Sequence, residues 1–298
     1  MNKKLISIIA GVAVAAMATG CSNTATSSVA SEQSSNGTSS VTEESKSSGE
    51  ASNTEELSGT LSMNGSTSME KVIKAVNGAF MEKYKDVTVN LNLTGSGTGI
   101  QEASEGKCDI GNSSRKLKDE EAEKLEATVV GLDGIALVVN PVNTLEDITI
   151  EDLAKIYSGE VTNWKDLGGE DKAIVVIGRE DGSGTRDGFE SIVMGDKEAK
   201  YAQELESTGS VINAVATTEG AIGYASLANV DETVKALKVD GVEATEENVK
   251  SGAYAVQRPF ICATLKDSDN QLVKAYLEFI LSDEGQALVS AQGAVPVK

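Results

Sequence analysis

Apolar side chains recur at Met69, Val72, Ile73, Val76 and Phe80, every three or four residues. That spacing puts them on one face and predicts a helix from about Ser68 to Lys83, with Ser66, Thr67 or Ser68 available to cap it. The period then changes. "VTVNLNLT" (87 to 94) alternates apolar and polar as a half-buried strand does, "TGIQEASEG" (98 to 106) returns to a short helix, and "CDIGNSS" (108 to 114) is a strand running into a loop. "TVVGLDGIALVVN" (128 to 140) is a long apolar run, suited to a strand that leaves one packed body and enters another.

Further on, "AIVVIG" (173 to 178) predicts a strand, "TRDGFESIVMG" (185 to 195) a helix, and residues 210 to 227 a helix followed by a strand. "RPFICATL" (258 to 265) is a strand that returns the chain to the first body. Residues 270 to 293 supply closing helices, with Leu272, Val273, Tyr276 and Ile280 along one buried stripe. Strands alternating with helices indicate an α/β fold with largely parallel sheets.

Before residue 58 this patterning is absent. Lys3 and Lys4 precede an apolar stretch from Leu5 to Met17, and Ala18, Thr19 and Gly20 stand ahead of Cys21, as in an export signal cut before a cysteine. Two readings stand: a lipoprotein signal (1 to 20) whose Cys21 becomes the lipidated N-terminus, or an ordinary secretory signal that contains a cysteine. Residues 22 to 57 are rich in Ser, Thr, Glu and Asn with almost no large apolar side chain. Such a segment buries too little surface to offset the entropy of ordering, and is expected to be a flexible leash.

The chain has 46 acidic against 26 basic residues and no histidine. Without histidine, Ser-His-Asp and Cys-His catalysis are excluded, and without a cysteine cluster so are the common zinc sites. No enzyme activity and no cofactor are expected, and the acidity argues against nucleic acid as a partner. Cys108 and Cys262 lie in strand-like stretches, so two buried thiols are the first reading; a disulfide is the other.

Four polar Gly/Ser/Thr clusters fall at strand ends or strand-to-helix junctions: "NGSTSM" (64 to 69), "TGSGTGI" (94 to 100), "GNSSR" (111 to 115) and "REDGSGTRD" (179 to 187). Carboxyl ends of parallel strands are where α/β folds bind ligands, and helix starts with nearby hydroxyls favour an anion there. One such cluster alone would be an ordinary helix cap; four at equivalent places point to a common ligand. None has the Gly-Lys-Ser/Thr ending of a nucleotide-binding loop. Arg179 ends a strand just before a helix start, where a guanidinium forms paired bonds to an oxyanion. Asp181 is placed to orient it.

In order, "GSTSM", "TGSGTGI", "DIGNSSR", "DGIALVVNP", "IYSGEVTNWKDLGG", "REDGSGTRD", "GAIGYASL" and "SGAYAVQRP" resemble the phosphate-binding lipoproteins of bacterial Pst-type ABC phosphate importers, over essentially all of residues 58 to 298. The resemblance implies a two-lobed, periplasmic-binding-protein-like (type II) clamshell with two crossing hinge segments. Lobe one would be about 58 to 135 with 262 to 298, and lobe two about 136 to 261. It further implies that Thr67, Ser68, Ser96, Ser114, Arg179, Ser183, Gly184 and Thr185 bind phosphate. One form of the family has "GASD" where this chain has Ser114 in "GNSSR", so the acceptor of the phosphate proton stays open among the Ser114 hydroxyl, Asp181 and Asp109. Arg115 either adds positive charge near the ligand or forms a structural salt bridge. The implied function is an extracytoplasmic receptor, monomeric and lipid-anchored to the cell membrane, that delivers inorganic phosphate to the transmembrane subunits of an ABC permease. A receptor for another tetrahedral oxyanion such as sulfate, or a surface sensor or adhesin retaining the fold, are the alternatives.

Overall fold

The computed structural model describes residues 57–298. The expected signal, Cys21 and all but the last residue of the leash lie outside the described residues.

The chain opens on strand β1 (Ser58–Gly65), helix α1 (Glu70–Lys83), β2 (Asp86–Asn92), α2 (Ser96–Ser104), β3 (Ile110–Ser113) and the single turn α3 (Asp119–Ala122). The long strand β4 (Leu125–Val139) follows, then β5 (Asp147–Ile148), α4 (Ile150–Tyr157), β6 (Val175–Arg179), α5 (Gly184–Val193), β7 (Gln203–Leu205), α6 (Thr208–Thr217) and β8 (Ala221–Ser226). Two short strands, β9 (Lys235–Ala236) and β10 (Lys238–Val239), precede α7 (Glu246–Ser251), β11 (Gln257–Leu265), α8 (Gln271–Leu281) and α9 (Asp283–Ala291).

The strands join in the order β2-β1-β3-β11-β4-β8-β6-β7. Both ends of this path are parallel, β1 with β2 and β3, and β6 with β7 and β8. The middle is antiparallel, because β11 returns along β4 from Leu265 opposite Leu125 to Gln257 opposite Gly134, with a bulge at Phe260/Ile261. Beyond that point β4 pairs with β8 instead, from Ile135 to Val139. One strand therefore serves two packed bodies.

Each body has its own core. In the first, Leu61, Met63, Val72, Ile73, Val76 and Phe80 pack with Tyr276 and Ile280 of α8. The rings of Phe80 and Tyr276 meet edge to face at 5.2 Å, a geometry that aromatic quadrupoles favour. In the second, Ile135, Leu137 and Val139 of β4 face the core containing Tyr157, Phe189 and Tyr224, while Ala136 and Val138 face the opposite core with Val211 and Val215. Period-two alternation with both faces buried explains why this stretch reads as an unbroken apolar run. Cys108 and Cys262 are buried free thiols.

A close seat for α2 decides where the first body's polar loops meet. A Cβ on Gly99 would lie 2.5 Å from the Asn64 carbonyl oxygen, and one on Gly111 would lie 2.6 Å from the Gly99 oxygen. Glycine at both positions lets helix and strands approach within that distance.

Candidate functional site

The sequence clusters converge. The carboxyl ends of β1, β2 and β3 present Ser66, Thr67, Ser68, Ser96 and Ser114, and those of β6 and β7 present Arg179, Ser183, Thr185 and Thr208; all nine are buried. Across the two bodies, Ser68 Oγ lies 2.8 Å from Thr185 Oγ1 and 3.0 Å from Thr208 Oγ1, and the Thr208 amide donates to Thr67 Oγ1 at 3.2 Å. Within the first body, Ser66 Oγ donates to Ser114 Oγ at 2.9 Å, and the Ser114 amide donates to Ser96 Oγ at 3.1 Å. A backbone bond also crosses, from the Gly97 amide to the Gly182 carbonyl at 2.8 Å.

Gly184 opens α5 directly against these serines. A Cβ there would fall 2.4 Å from Ser96 Oγ and 2.8 Å from Ser114 Oγ. Helices α2, α5 and α6 all begin at the cluster, and their first N–H groups and partial positive charge favour an anion.

Arg179 ends β6 and is buried. Its Nε donates to the Leu205 carbonyl at 3.0 Å, Nη2 to the Glu206 carbonyl at 2.7 Å and Nη1 to Thr208 Oγ1 at 3.2 Å. None of these acceptors is a carboxylate. Burial therefore pushes the guanidinium down to about 10, with Arg258 adding like-charge repulsion after a smaller opposing effect from Tyr224. It remains a cation at neutral pH, held by neutral dipoles, which leaves its charge available to an anion.

The structure corrects some sequence expectations and decides between others. Ser66, Thr67 and Ser68 do not cap the first helix with their side chains, because their hydroxyls are engaged across the cluster. Asp181 does not orient Arg179; its exposed carboxylate pairs with Arg186 Nη1 at 3.1 Å. Asp109 lies away from the cluster, accepting from the Ser62 amide and hydroxyl at 2.7 and 2.6 Å and from Asn270 at 3.1 Å. Ser183 is at the site: its Oγ accepts from the Arg186 amide at 3.4 Å as the cap of α5, which leaves its own hydrogen to donate. Arg115 forms the salt bridge: Nη1 and Nη2 donate to Glu121 at 2.7 and 2.8 Å, and Nε lies 2.7 Å from Asp187 of α5. That bridge joins the segment after β3 to the second body.

Thr208 was missed. Its signal was present in "STGS" (207 to 210), a fifth hydroxyl-rich helix start, but the three-residue strand before it carries no readable period. Among the described residues no cluster of His, Cys, Asp or Glu could hold a metal ion.

Two α/β bodies, joined by two crossing strands and facing each other over hydroxyls, helix starts and one buried arginine, define a two-lobed substrate-binding protein of the periplasmic-binding-protein type. A family model described as a PBP superfamily domain matches residues 19–284. The phosphate-binding protein PstS of Bacillus subtilis is 35% identical over 245 residues, covering 80% of this chain and 81% of that protein. A solved structure from Clostridium perfringens, described as a phosphate ABC transporter substrate-binding protein with bound phosphate, is 43% identical with a TM-score of 0.78, covering 80% of this chain and all of that one. An ABC-type phosphate transport receptor from Vibrio cholerae is 30% identical with a TM-score of 0.68, over 79% of this chain and 99% of that chain. The chain belongs to the PBP superfamily and, within it, to the PstS family of phosphate-binding proteins.

Proposed function

We propose that this protein captures inorganic phosphate between its two bodies and hands it to the transmembrane subunits of an ABC permease. The observation that carries this reading is the convergence of buried hydroxyls from both bodies, one of which, that of Thr208, accepts from Arg179. Thr67, Ser68, Ser96 and Ser114 would donate from one lobe (about 58 to 135 and 262 to 298), and Arg179, Thr185 and Thr208 from the other (about 136 to 261), with the amides of Gly184 and Thr185 at the start of α5. The anion would replace the hydroxyl-to-hydroxyl bonds with bonds to itself, so ligand and closure favour each other. Its specificity lies in tetrahedral geometry and donor density, within a site where distant surface charge is weak.

No carboxylate bonds to these hydroxyls among the described residues. The proton of phosphate would then be accepted by a hydroxyl such as that of Ser114, which has lone pairs to offer. The family acts in transport rather than catalysis. Lipid attachment at Cys21, an extracytoplasmic location and a monomeric state complete the reading; they rest on the leader sequence and on the family.

Calorimetric titration of the protein, stripped of carried-over anion, tests this. Saturable phosphate binding, tighter than that of sulfate titrated in parallel, is expected. Sulfate binding as tight as phosphate would reassign the ligand, and no binding of either anion would refute the receptor reading.

A further inference from the structure

Arg179 is gripped from behind by a closed ring of hydrogen bonds that touches none of the cleft hydroxyls. Its amide donates to Tyr224 Oη at 3.1 Å, Tyr224 donates to Tyr201 Oη at 3.1 Å, and Tyr201 donates to Glu190 Oε1 at 2.8 Å. The same Glu190 oxygen accepts from Arg186 Nε at 2.9 Å, and Arg186 Nη1 returns to the Arg179 carbonyl at 3.1 Å. The chain of bonds leaves from one side of Arg179's backbone and comes back on the other.

The ring draws on β6, α5, β8 and the segment leading into β7, and is packed in place. Tyr224 stands on β8 with its ring stacked on Phe189 at 4.4 Å, and the Arg186 guanidinium lies over the Tyr201 ring at 4.9 Å. Room for Tyr201 comes from Gly178, where a Cβ would lie 2.2 Å from the Tyr201 ring. Arg186 and Glu190 belong to α5, the helix whose first residues face Ser96 and Ser114. The ring therefore ties the end of β6, which carries the arginine, to the helix whose start offers the amides.

We propose that Tyr224, Tyr201, Glu190 and Arg186 are positioning residues for anion capture, holding Arg179 and the start of α5 in one fixed geometry. The proposal rests on the reading of Arg179 as the phosphate-binding cation. A long side chain on the last residue of a strand otherwise loses rotamer freedom when it binds; fixing its backbone beforehand removes part of that cost from the binding step. Low local dielectric strengthens a fully satisfied ring of this kind.

The test uses phosphate as probe and measures Kd by calorimetry beside the melting temperature. Tyr224→Phe, Tyr201→Phe and Glu190→Leu each open the ring and are expected to weaken phosphate binding about tenfold, the worth of one well-made hydrogen bond. Glu190→Gln keeps an oxygen acceptor and is expected to restore affinity to within about threefold, a rescue that a purely structural role would not require. Tyr157→Phe is the control. Tyr157 packs against the same Phe189 and Tyr224 rings at 4.5 and 5.9 Å, but its hydroxyl has no partner among the described residues, so the variant's Kd should not change. A Kd within twofold of wild type for both Tyr201→Phe and Glu190→Leu overturns the proposal, whatever Tyr224→Phe does. An equal loss in Tyr157→Phe also overturns it, by assigning the effect to packing. If Arg179→Ala itself binds phosphate normally, it is the reading of the site that fails.

Discussion

Arg179→Ala is expected to lower phosphate affinity by a factor on the order of a thousand while leaving the protein folded. Truncating one member of a buried, hydrogen-bonded charge pair costs several kcal/mol, chiefly because the other charge is left desolvated and unpaired. Here the unpaired partner would be the dianion itself. The effect on stability is smaller, for a reason that the acid-base behaviour of the group makes visible. Held at about 10, below the ordinary arginine range, Arg179 binds fewer protons folded than unfolded above that value, so its contribution to stability rises with pH there. At neutral pH the buried cation is therefore a cost of about 3 kcal/mol. Removing it relieves that cost and forfeits the bonds to Leu205, Glu206 and Thr208, two effects of opposite sign. Titration calorimetry with a melting curve checks both halves: unchanged affinity would remove Arg179 from the site, and a collapsed melting transition would make its role structural.

The second large effect is expected from Gly184→Ala. A methyl group there would sit 2.4 Å from Ser96 Oγ and 3.0 Å from Ser96 Cβ, well inside contact distance. Both serines are buried on short side chains, so the strain is relieved chiefly by moving α5 away from α2. The methyl acts as a wedge between the bodies. Affinity is expected to fall on the order of a hundredfold, because donors on one side lose reach to an anion held on the other. The fold should not suffer, since the atoms nearest such a methyl all belong to the other body and alanine is the better helix former. Small-angle scattering supplies the direct readout. The variant should show a larger radius of gyration than wild type at saturating phosphate, and an identical radius would contradict the wedge.

Much of the architecture was legible in the chain because it follows from periodicity. The stripe from Val72 to Phe80 forms one face of α1 with Met69 just ahead of it, and the run from Ile135 to Val139 alternates between two cores. The expected α/β fold with two crossing segments is present in β4 and β11. The hydroxyl clusters were legible for a related reason, since a strand end followed by Gly, Ser and Thr at a helix start is a local pattern.

What the sequence did not convey was partnership. Asp181 stands two residues from Arg179, yet its carboxylate turns to Arg186, in the first turn of α5. Ser66, Thr67 and Ser68 have the chemistry of caps, but Ser114 in the same body competes for the first hydroxyl and neighbours across the cleft for the other two. Thr208 follows a strand of three residues, too short to show any alternation. Arg115 had two open readings until Glu121 and Asp187 were seen on either side of it. In each case the deciding group is distant in sequence or one of several local candidates, and only the packed structure selects among them.

The two thiols of the described chain have a practical consequence. Cys108 is pushed up to about 11 by burial with Glu102 nearby, and Cys262 to about 12 by burial alone. Alkylating reagents attack the thiolate, so at neutral pH both sulfurs should be silent toward a maleimide dye in the folded protein. Val142 is 54% exposed, and in the chain from Leu57 onward Val142→Cys should be the single position to take up such a dye, read as one added label by intact-mass measurement. More than one label would show that a buried sulfur is reached. The molecule thus comes with a chemically quiet background, on which a fluorophore could be placed to report the motion of one body against the other in real time.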